Sequence, residues 1–325
     1  FETRLLGACR AAGAALTVVA DAHVFALDPR SARAAGQSYA LGLAGVPGAF
    51  HPKVSILARP DHALINIGSG NMTVNGWHRS DEIALLVDAE STNCPALVTE
   101  IVDWLTELPS AVRLGETAVD GIRRTAAELR HLAERSAQTA TRHTLVSSTR
   151  GPILEQLPTA KVRRLKLYAP FHDADGKTLR EMCTRWRPDS IHVAVQPGVT
   201  VITAESLVNV AAATSTQLTF HSCDVAPYRH GKLIEADCED GSTWSLTGSP
   251  NLTTAALMGH VPRVGNCELG VVTQGTPLVF PGSGEVLSPQ AIPTVRFLSP
   301  EDAARKSAAR SIPVLISATL LMSGL

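Results

Sequence analysis

The sequence predicts an α/β protein of two pseudo-symmetric lobes, each a mixed, mostly parallel sheet flanked by helices. Two observations lead to this fold class. A constellation of polar residues near His51 occurs again near His230, and a long internal repeat of this kind sets an architecture. Around the copies, short apolar runs alternate with segments of helical spacing, which is typical of sheets covered by helices. The predicted units are residues 1–135 for the first lobe with a linking helix, 136–285 for the second lobe, and 286–325 for a C-terminal extension that we expect to be truncated.

The elements of the first lobe follow from its apolar periodicity and its turn residues. Pro109 is expected to stop the first of two long helices, because proline removes a helical hydrogen bond. Residues 136–152, rich in Ser and Thr, are a predicted connector between the lobes. The predicted elements are a helix over Glu2–Ala12, a strand over Ala15–Val19, a loop with Asp28-Pro29, a strand over Ser38–Leu43, and helices over Ala96–Leu108 and Ala118–Ala137.

The second lobe has a clearer alternation of strands and helices. By analogy with it, the first lobe lacks an opening strand, which we expect upstream of Phe1. The apolar run Ile312–Leu325 is too short to span a bilayer and is expected to be a cut strand or helix. The predicted elements are strands over Arg164–Phe171, Ile191–Gln196 and Gln217–Phe220, with helices over Lys177–Trp186 and Ala204–Ala213.

The first copy of the repeat places polar side chains at one end of a predicted hairpin. His51 and Lys53 are two residues apart and therefore share one face of an extended strand. The hairpin strands are Val54–Leu57 and Ala63–Ile67, and Gly68-Ser69-Gly70-Asn71 ends the second strand with turn-forming residues. A His, a Lys, a hydroxyl and an Asn amide can together hold a phosphate oxygen, and the His can also attack phosphorus.

The second copy repeats this order of residues. His230 and Lys232 precede the predicted strand Leu233–Asp237, and the return strand ends at Gly248-Ser249-Pro250-Asn251. The chain has 11 His but only six Lys, so lysine is scarce. Two His-x-Lys pairs, each followed at nearly equal distance by Gly-Ser-x-Asn, are therefore a strong signal.

These residues resemble the two HKD motifs of the phospholipase D superfamily, in which His-x-Lys is followed after four residues by Asp and then by Gly-Ser-x-Asn. The second copy fits with Asp237, whereas Ala58 stands at the Asp position of the first copy. Tyrosyl-DNA phosphodiesterases are similar in lacking that Asp. The Gly-Ser-x-Asn-x-Thr pattern with a later Glu most resembles HKD nucleases of restriction and phage-defence systems. The resemblance covers about residues 1–280.

The resemblance implies a metal-independent hydrolysis in two steps through a phosphohistidine. It makes His51 the nucleophile and His230 the general acid, although the residues alone leave that choice open. It also implies that Glu82 and Glu268 each hydrogen-bond the other lobe's His. No cofactor and no metal are expected. The predicted catalytic residues are His51, Lys53, Asn71, His230, Lys232 and Asn251, with Ser69 and Ser249 binding substrate and Glu82, Glu268 and Asp237 in support.

Several of these residues have an ordinary structural alternative. The two glutamates can be plain strand starts, and the two serines can cap turns instead of donating to phosphate. Trp77-His78-Arg79 and Tyr228-Arg229 flank the motifs. Each group suits either a base with its phosphate or a loop packed by its aromatic residue.

The amino-acid composition restricts the classes of binding partner that we expect. A net charge of −1 gives no bulk attraction to nucleic acid or anionic membrane, so phosphate binding must come from a local patch. The six Cys show no C-x-x-C spacing, which indicates buried thiols in a reducing compartment and predicts a cytoplasmic protein. The expected partners are nucleic acid, with DNA preferred, and helicase or other defence-system subunits or missing flanking domains. No membrane association is expected.

The leading function is therefore a nuclease that cleaves DNA in a prokaryotic defence or repair setting. One alternative is a phospholipase or phosphatidyltransferase of the same superfamily, which the low aromatic content of 4% and the lack of an amphipathic membrane helix disfavour. The other is an inactive nucleic-acid-binding module. Intact His and Lys residues in both copies argue against it, because binding alone needs no second His.

Overall fold

The chain folds into two lobes, each with its own sheet and helices, which confirms the predicted mixed α/β class. A computed structural model describes residues 5–25, 32–73, 75–275, 278, 280–282 and 284–292. The predicted Asp28-Pro29 loop and the apolar run 312–325 lie outside these residues, and the extension beginning at residue 286 is described only to residue 292. Within the described part of the chain, no helix is long and apolar enough to cross a membrane.

The first lobe contains a hairpin sheet and a separate parallel strand pair. The turn of the hairpin falls at residues 59–62, between the two predicted strands, because Pro60 and Asp61 favour a tight reversal. Its elements, in chain order, are α1 (Leu6–Ala11), β1 (Thr17–Asp21), α2 (Ala22–Phe25), β2 (Ala40–Ala44), β3 (Val54–Arg59), β4 (His62–Gly68), a short π-helix (Asn75–Arg79), β5 (Ala84–Glu90), β6 (Cys94–Pro95), α3 (Leu97–Ala111) and α4 (Glu116–Arg135).

Helix α3 does not stop at Pro109, so that prediction is wrong. Pro109 lies two residues before the end of the helix, which continues to Ala111. A proline so close to a helix end disturbs only the last turn, since its fixed φ is itself helical. The apolar face of α3 packs against α4 and the hairpin sheet to form the core of the first lobe.

The second lobe is built on an eight-stranded sheet. Helices α6 and α7 begin and end at the predicted residues, and they cover the apolar face of the sheet around Trp186, Leu207 and Val210. Its elements are β7 (Gln138–Thr139), β8 (His143–Ser147), α5 (Ile153–Gln156), β9 (Val162–Tyr168), α6 (Lys177–Trp186), β10 (Ser190–Val195), α7 (Ala204–Ala213), β11 (Gln217–Ser222), β12 (Leu233–Cys238), β13 (Thr243–Gly248), α8 (Thr254–Leu257), β14 (Leu269–Gln274), β15 (Val286–Leu287) and a 3-10 turn (Pro289–Ala291).

The strand pairing corrects one detail of the predicted fold class, because the sheets are mixed but not mostly parallel. The strand order is β15-β11-β10-β9-β12-β13-β14-β8, and only β11–β10 and β10–β9 are parallel. In the first lobe β1 and β2 are parallel, whereas β3, β4 and β5 are antiparallel. Parallel neighbours need a crossover connection, which α6 and α7 supply between the strands β9, β10 and β11. The motif hairpins β3–β4 and β12–β13 are instead antiparallel pairs joined by short turns.

The predicted connector over residues 136–152 is itself part of the fold. Its strand β8 pairs antiparallel with β14 at the edge of the large sheet. On the face toward the first lobe, Leu145, Leu269 and Val271 join the core that contains α3 and β4. The two lobes therefore share apolar packing directly beneath the motif strands, which fixes how the motifs meet.

Candidate active site

The two repeat motifs meet where the backbone of each lobe pairs with the other. His51 and Lys53 directly precede β3, and the amide of His51 donates to the carbonyl of Cys267 at 2.9 Å. His230 and Lys232 directly precede β12, and the amide of His230 donates to the carbonyl of Asp81 at 2.8 Å. Since Cys267 precedes Glu268 and Asp81 precedes Glu82, each histidine is placed beside the acidic residue of the opposite lobe.

Each histidine is hydrogen-bonded by the glutamate of the other lobe, as the sequence analysis expected. His51 Nδ1 lies 2.8 Å from Glu268 Oε2, and His230 Nδ1 lies 3.0 Å from Glu82 Oε1. A carboxylate at Nδ1 favours the tautomer that carries a proton there, which leaves a lone pair on Nε2. An imidazole in that state can attack an electrophile or take up a proton.

The two serines of the motifs support the glutamates, which corrects their predicted contact with substrate. Ser69 and Ser249 are completely buried. Ser69 Oγ donates to Glu82 Oε2 at 2.6 Å, and Ser249 Oγ donates to Glu268 Oε2. Each hydroxyl also accepts the amide that follows its glutamate, at 2.9 Å in the first copy and 3.0 Å in the second. The Gly-Ser turn therefore holds a carboxylate in place from behind.

Both glutamates are ionised, although Glu268 is fully buried and Glu82 is partly buried. Burial opposes the charge of Glu268, but His51, Ser249 and Asn266 together lower its pKa below the usual value. Burial likewise opposes the charge of Glu82, and hydrogen bonds from His230 and Ser69 lower its pKa. Asn266 donates to Glu268 Oε1 at 3.0 Å. Sequence reasoning missed this support, and its only signal was an amide two residues before the acidic position.

Two buried lysines converge on the site from opposite lobes. Lys53 and Lys232 are 7% and 2% exposed, and each donates to the carbonyl of its own motif histidine. Lys232 Nζ also lies 3.2 Å from His230 Nε2. Burial lowers the pKa of Lys53 to about 8, against the attraction of Glu268 and Glu82. Burial and then the charge of Lys53 lower the pKa of Lys232 to about 7.

Burial also lowers the pKa of His230, against the effect of the hydrogen bond that it donates to Glu82. The ammonium groups of the two buried lysines lie beside partly buried histidines, so their positive charge is poorly solvated. An anion with oxygens that accept several hydrogen bonds is the ligand that such a cluster would stabilise most. A phosphodiester is an anion of this kind.

The two motif asparagines differ in their surroundings. Asn251 is 8% exposed, and its Oδ1 is buried without a hydrogen-bond partner among the described residues. Asn71 is exposed, in the turn that leads from β4 to the short π-helix Asn75–Arg79. An unpartnered buried amide is costly for a fold, and it is explained most simply by a ligand that completes its hydrogen bonds.

Asp237 does not contact the site. It lies near the far end of β12, and its carboxylate is 3.6 Å from Arg164 Nη1 on the neighbouring strand β9. Any support that it gives is to the pairing of these strands. Ala58 stands at the equivalent position of β3 and pairs with Ala63 in the first hairpin. Because alanine is uncharged, this position needs no ion-pair partner.

Among the residues that flank the motifs, an arginine forms ion pairs, whereas two aromatic rings are exposed to solvent. The Arg229 guanidinium binds Asp81 of the first lobe and lies 3.4 Å from Asp224. It therefore ties the lobes together and is not a free phosphate ligand. Tyr228 and Trp77 keep 45% and 53% of their surface exposed, and the Tyr228 ring stacks on His230 with centroids 5.8 Å apart.

One group of side chains outside the motifs has the composition of a metal site. His62, Asp88 and Glu90 bring their ligand atoms within 4.8 Å of one another on β4 and β5. His62 Nε2 is already 2.6 Å from Asp88 Oδ1, and both acidic residues are exposed. An exposed pairing of this kind is common on a strand surface, and none of its members contacts the motif residues.

Comparison with known proteins gives a likeness in fold. A mutant of yeast tyrosyl-DNA phosphodiesterase 1 aligns with a TM-score of 0.53 and 13% identity over 80% of this chain and 77% of that chain. A further mutant of the yeast enzyme gives 0.52 and 12% over 80% and 77%. A third structure of it gives 0.50 and 13% over 74% and 73%. No family model and no curated protein matches the sequence. The chain thus has the two-lobed fold of these tyrosyl-DNA phosphodiesterase structures.

Proposed function

We propose that this chain, with the two-lobed phospholipase D fold, is a metal-independent phosphodiesterase that cleaves DNA through a phosphohistidine intermediate. The observation that carries the proposal is the crossed arrangement of the site. Each of two histidines has its Nδ1 on a glutamate of the other lobe, fully buried Glu268 or partly buried Glu82, with buried lysines beside them. Two imidazoles of this kind supply both a nucleophile and a proton donor, which is what splitting a phosphodiester in two steps requires.

The first step is an in-line displacement. His51 Nε2 attacks phosphorus, the bond from phosphorus to the leaving oxygen breaks, and protonated His230 gives its proton to that oxygen. In the second step, neutral His230 takes a proton from water as the water oxygen attacks the phosphohistidine. The bond between phosphorus and His51 breaks, and the product leaves with His230 protonated again. Atoms and charge balance without an added reactant.

The charge that grows on the non-bridging oxygens is met by the lysines and the asparagine amides. Lys53, Lys232, Asn71 and Asn251 are the proposed ligands of these oxygens. A divalent cation would find little support in this arrangement. Both carboxylates of the site already accept hydrogen bonds from histidine and serine, and the neighbouring lysines would repel it. This arrangement of charges supports the metal-independent part of the proposal.

DNA is the substrate that we propose, in a prokaryotic defence or repair setting. The likeness in fold is to a protein whose name describes action on DNA, and the site has exposed aromatic residues at its edge. Association with helicase or other defence-system subunits remains a prediction of the sequence.

The test is an assay in the presence of EDTA with single- and double-stranded DNA, RNA, and phosphatidylcholine vesicles. Wild type, His51→Ala and the matched control His62→Ala are compared, since His62 lies outside the site. We expect EDTA-resistant DNA cleavage that His51→Ala abolishes and His62→Ala retains. Lipid turnover with intact DNA would instead indicate a phospholipase. Cleavage that EDTA abolishes, or that survives in His51→Ala, would contradict the mechanism.

A further inference from the structure

The exposed ring of Tyr228 lies directly beside a proposed catalytic histidine. Its plane is inclined by 24° to the His230 ring, and the two centroids are 5.8 Å apart, which is an offset stack. Tyr228 retains 45% of its surface exposed, although it is only two residues from His230. The ring is therefore open to solvent at the edge of the site.

The loop that carries this ring is fixed from below. Gln196 is completely buried, and its Nε2 donates to the carbonyls of Asp224 and Pro227 at 2.8 Å each. Its Oε1 accepts the amide of Arg229 at 2.9 Å. One buried side chain thus holds both sides of Tyr228, so the position of the ring is set before any ligand arrives.

The backbone of the loop is also tied to both lobes. The hydroxyl of Tyr168 donates to the carbonyl of Arg229 at 2.8 Å, and the amide of Asp81 donates to the carbonyl of Tyr228 at 2.8 Å. These contacts involve only the main chain around Tyr228. They would form with any residue at this position, so they do not account for an aromatic ring that stays exposed.

We propose that Tyr228 is a stacking platform for the nucleobase next to the scissile phosphate, which makes it a specificity-determining residue. This inference rests on the proposed function and narrows its substrate to nucleic acid with an unpaired base at the site. A preorganised ring loses little entropy on binding, and stacking on an aromatic side chain tolerates every base because each has a flat face. A diacyl phospholipid has no flat ring to match it.

The test measures binding in a His51→Ala background, so that turnover does not interfere. The probes are a short fluorescent oligothymidine and an abasic strand with the same number of phosphates. We expect Tyr228→Leu to weaken oligothymidine binding about 5- to 140-fold and to change abasic binding less than about 2-fold. Tyr228→Phe keeps the ring and is expected to restore the affinity. Val225→Ala is the control, since Val225 is an exposed residue of the same loop.

Each other outcome has a defined meaning. An equal loss for both strands overturns the proposal, because Tyr228 would then act through His230 and not through a base. No loss for either strand also overturns it, as does a Tyr228→Phe variant as weak as Tyr228→Leu. If the wild-type protein cleaves no phosphodiester but the base-dependent loss is found, the proposed function fails and the stacking role stands. The absence of binding to both strands overturns both.

Discussion

The two halves of the site have the same plan and different degrees of burial. On one side His51 is supported by Glu268, which has no exposed surface and is held by Ser249 and Asn266. On the other side His230 is supported by Glu82, which keeps 11% of its side chain exposed and is held by Ser69. The histidine that we propose as nucleophile thus has the more rigid and more deeply buried carboxylate. A nucleophile needs a fixed approach to phosphorus, which a fully buried carboxylate with two further hydrogen-bond partners provides.

The turns after the two hairpins also differ, because the turn of the second copy is buried and that of the first copy is exposed. In the second copy Pro250 stiffens the turn, Asn251 is buried, and helix α8 follows, with Thr254 donating to Asp173 at 2.9 Å. In the first copy a Cβ at Gly70 would lie 2.7 Å from the carbonyl oxygen of Gly76, so the tight turn there requires glycine. Asn71 therefore lies in an irregular, exposed segment, whereas the turn that holds Asn251 is already ordered before a substrate binds.

The strongest test of the difference between the two half-sites is to remove each histidine in turn and to measure the cleavage rate on substrates with different leaving groups. We expect His51→Ala to lose at least about 10⁴-fold in rate on every phosphodiester, because no nucleophile remains. His230→Ala should lose about 10²–10⁴-fold on alkyl esters and much less on p-nitrophenyl esters, which leave without a proton. Single-turnover rates on both ester types measure this. The reverse pattern would exchange the roles of the two histidines.

The two asparagines give the next largest effect. Asn251→Ala is expected to lower kcat about 10²–10³-fold, as for removal of one preorganised donor. Its stability should not fall, because the change removes an unpaired buried acceptor. Asn71→Ala is expected to cost only about tenfold, since its exposed segment is less preorganised. Steady-state kinetics and urea unfolding of both variants test this, and equal losses would remove the distinction between the two turns.

The serines give a smaller effect that appears in stability. Ser249→Ala is expected to lower the free energy of unfolding by about 1.5–3 kcal/mol, because it removes a hydrogen bond to a fully buried carboxylate. Ser69→Ala is expected to cost about 0.5–1.5 kcal/mol, since water can reach Glu82 and replace the hydroxyl. Urea unfolding at pH 7 measures both. A larger cost for Ser69→Ala would contradict the assignment of Glu268 as the deeper support.

The sequence predicted which residues meet, because a repeat with a fixed order of His, Lys and Asn leaves few arrangements. It did not predict which group the serines contact, since a Gly-Ser turn has the same sequence whether its hydroxyl faces substrate or a carboxylate. The strand pairing was missed because apolar runs do not carry their direction. Gln196 and Asn266 went unnoticed for a related reason. Their roles depend on a buried position beside a distant loop, and no local pattern marks that.

The smallest effect concerns the pH at which the site holds a phosphate. Burial lowers the pKa of Lys232 to about 7 and that of Lys53 to about 8, so Lys232 is the first to lose its charge as the pH rises. We expect the affinity of the His51→Ala variant for an oligonucleotide to decrease above about pH 7. In a Lys232→Arg variant the decrease should begin near pH 8, because arginine stays charged and only Lys53 titrates.

Titration of the dissociation constant from pH 5.5 to 9.5 measures this shift of about one pH unit in the onset of the decrease. Lys166→Arg, a change on the adjacent strand β9 outside the site, is the matched control and should leave the profile unchanged. A bound phosphate favours the charged lysines and moves both profiles upward together, so the difference between the variants is the diagnostic quantity. Identical profiles would mean that the pKa of Lys232 is no lower than that of Lys53. The two half-sites would then be electrostatically equivalent.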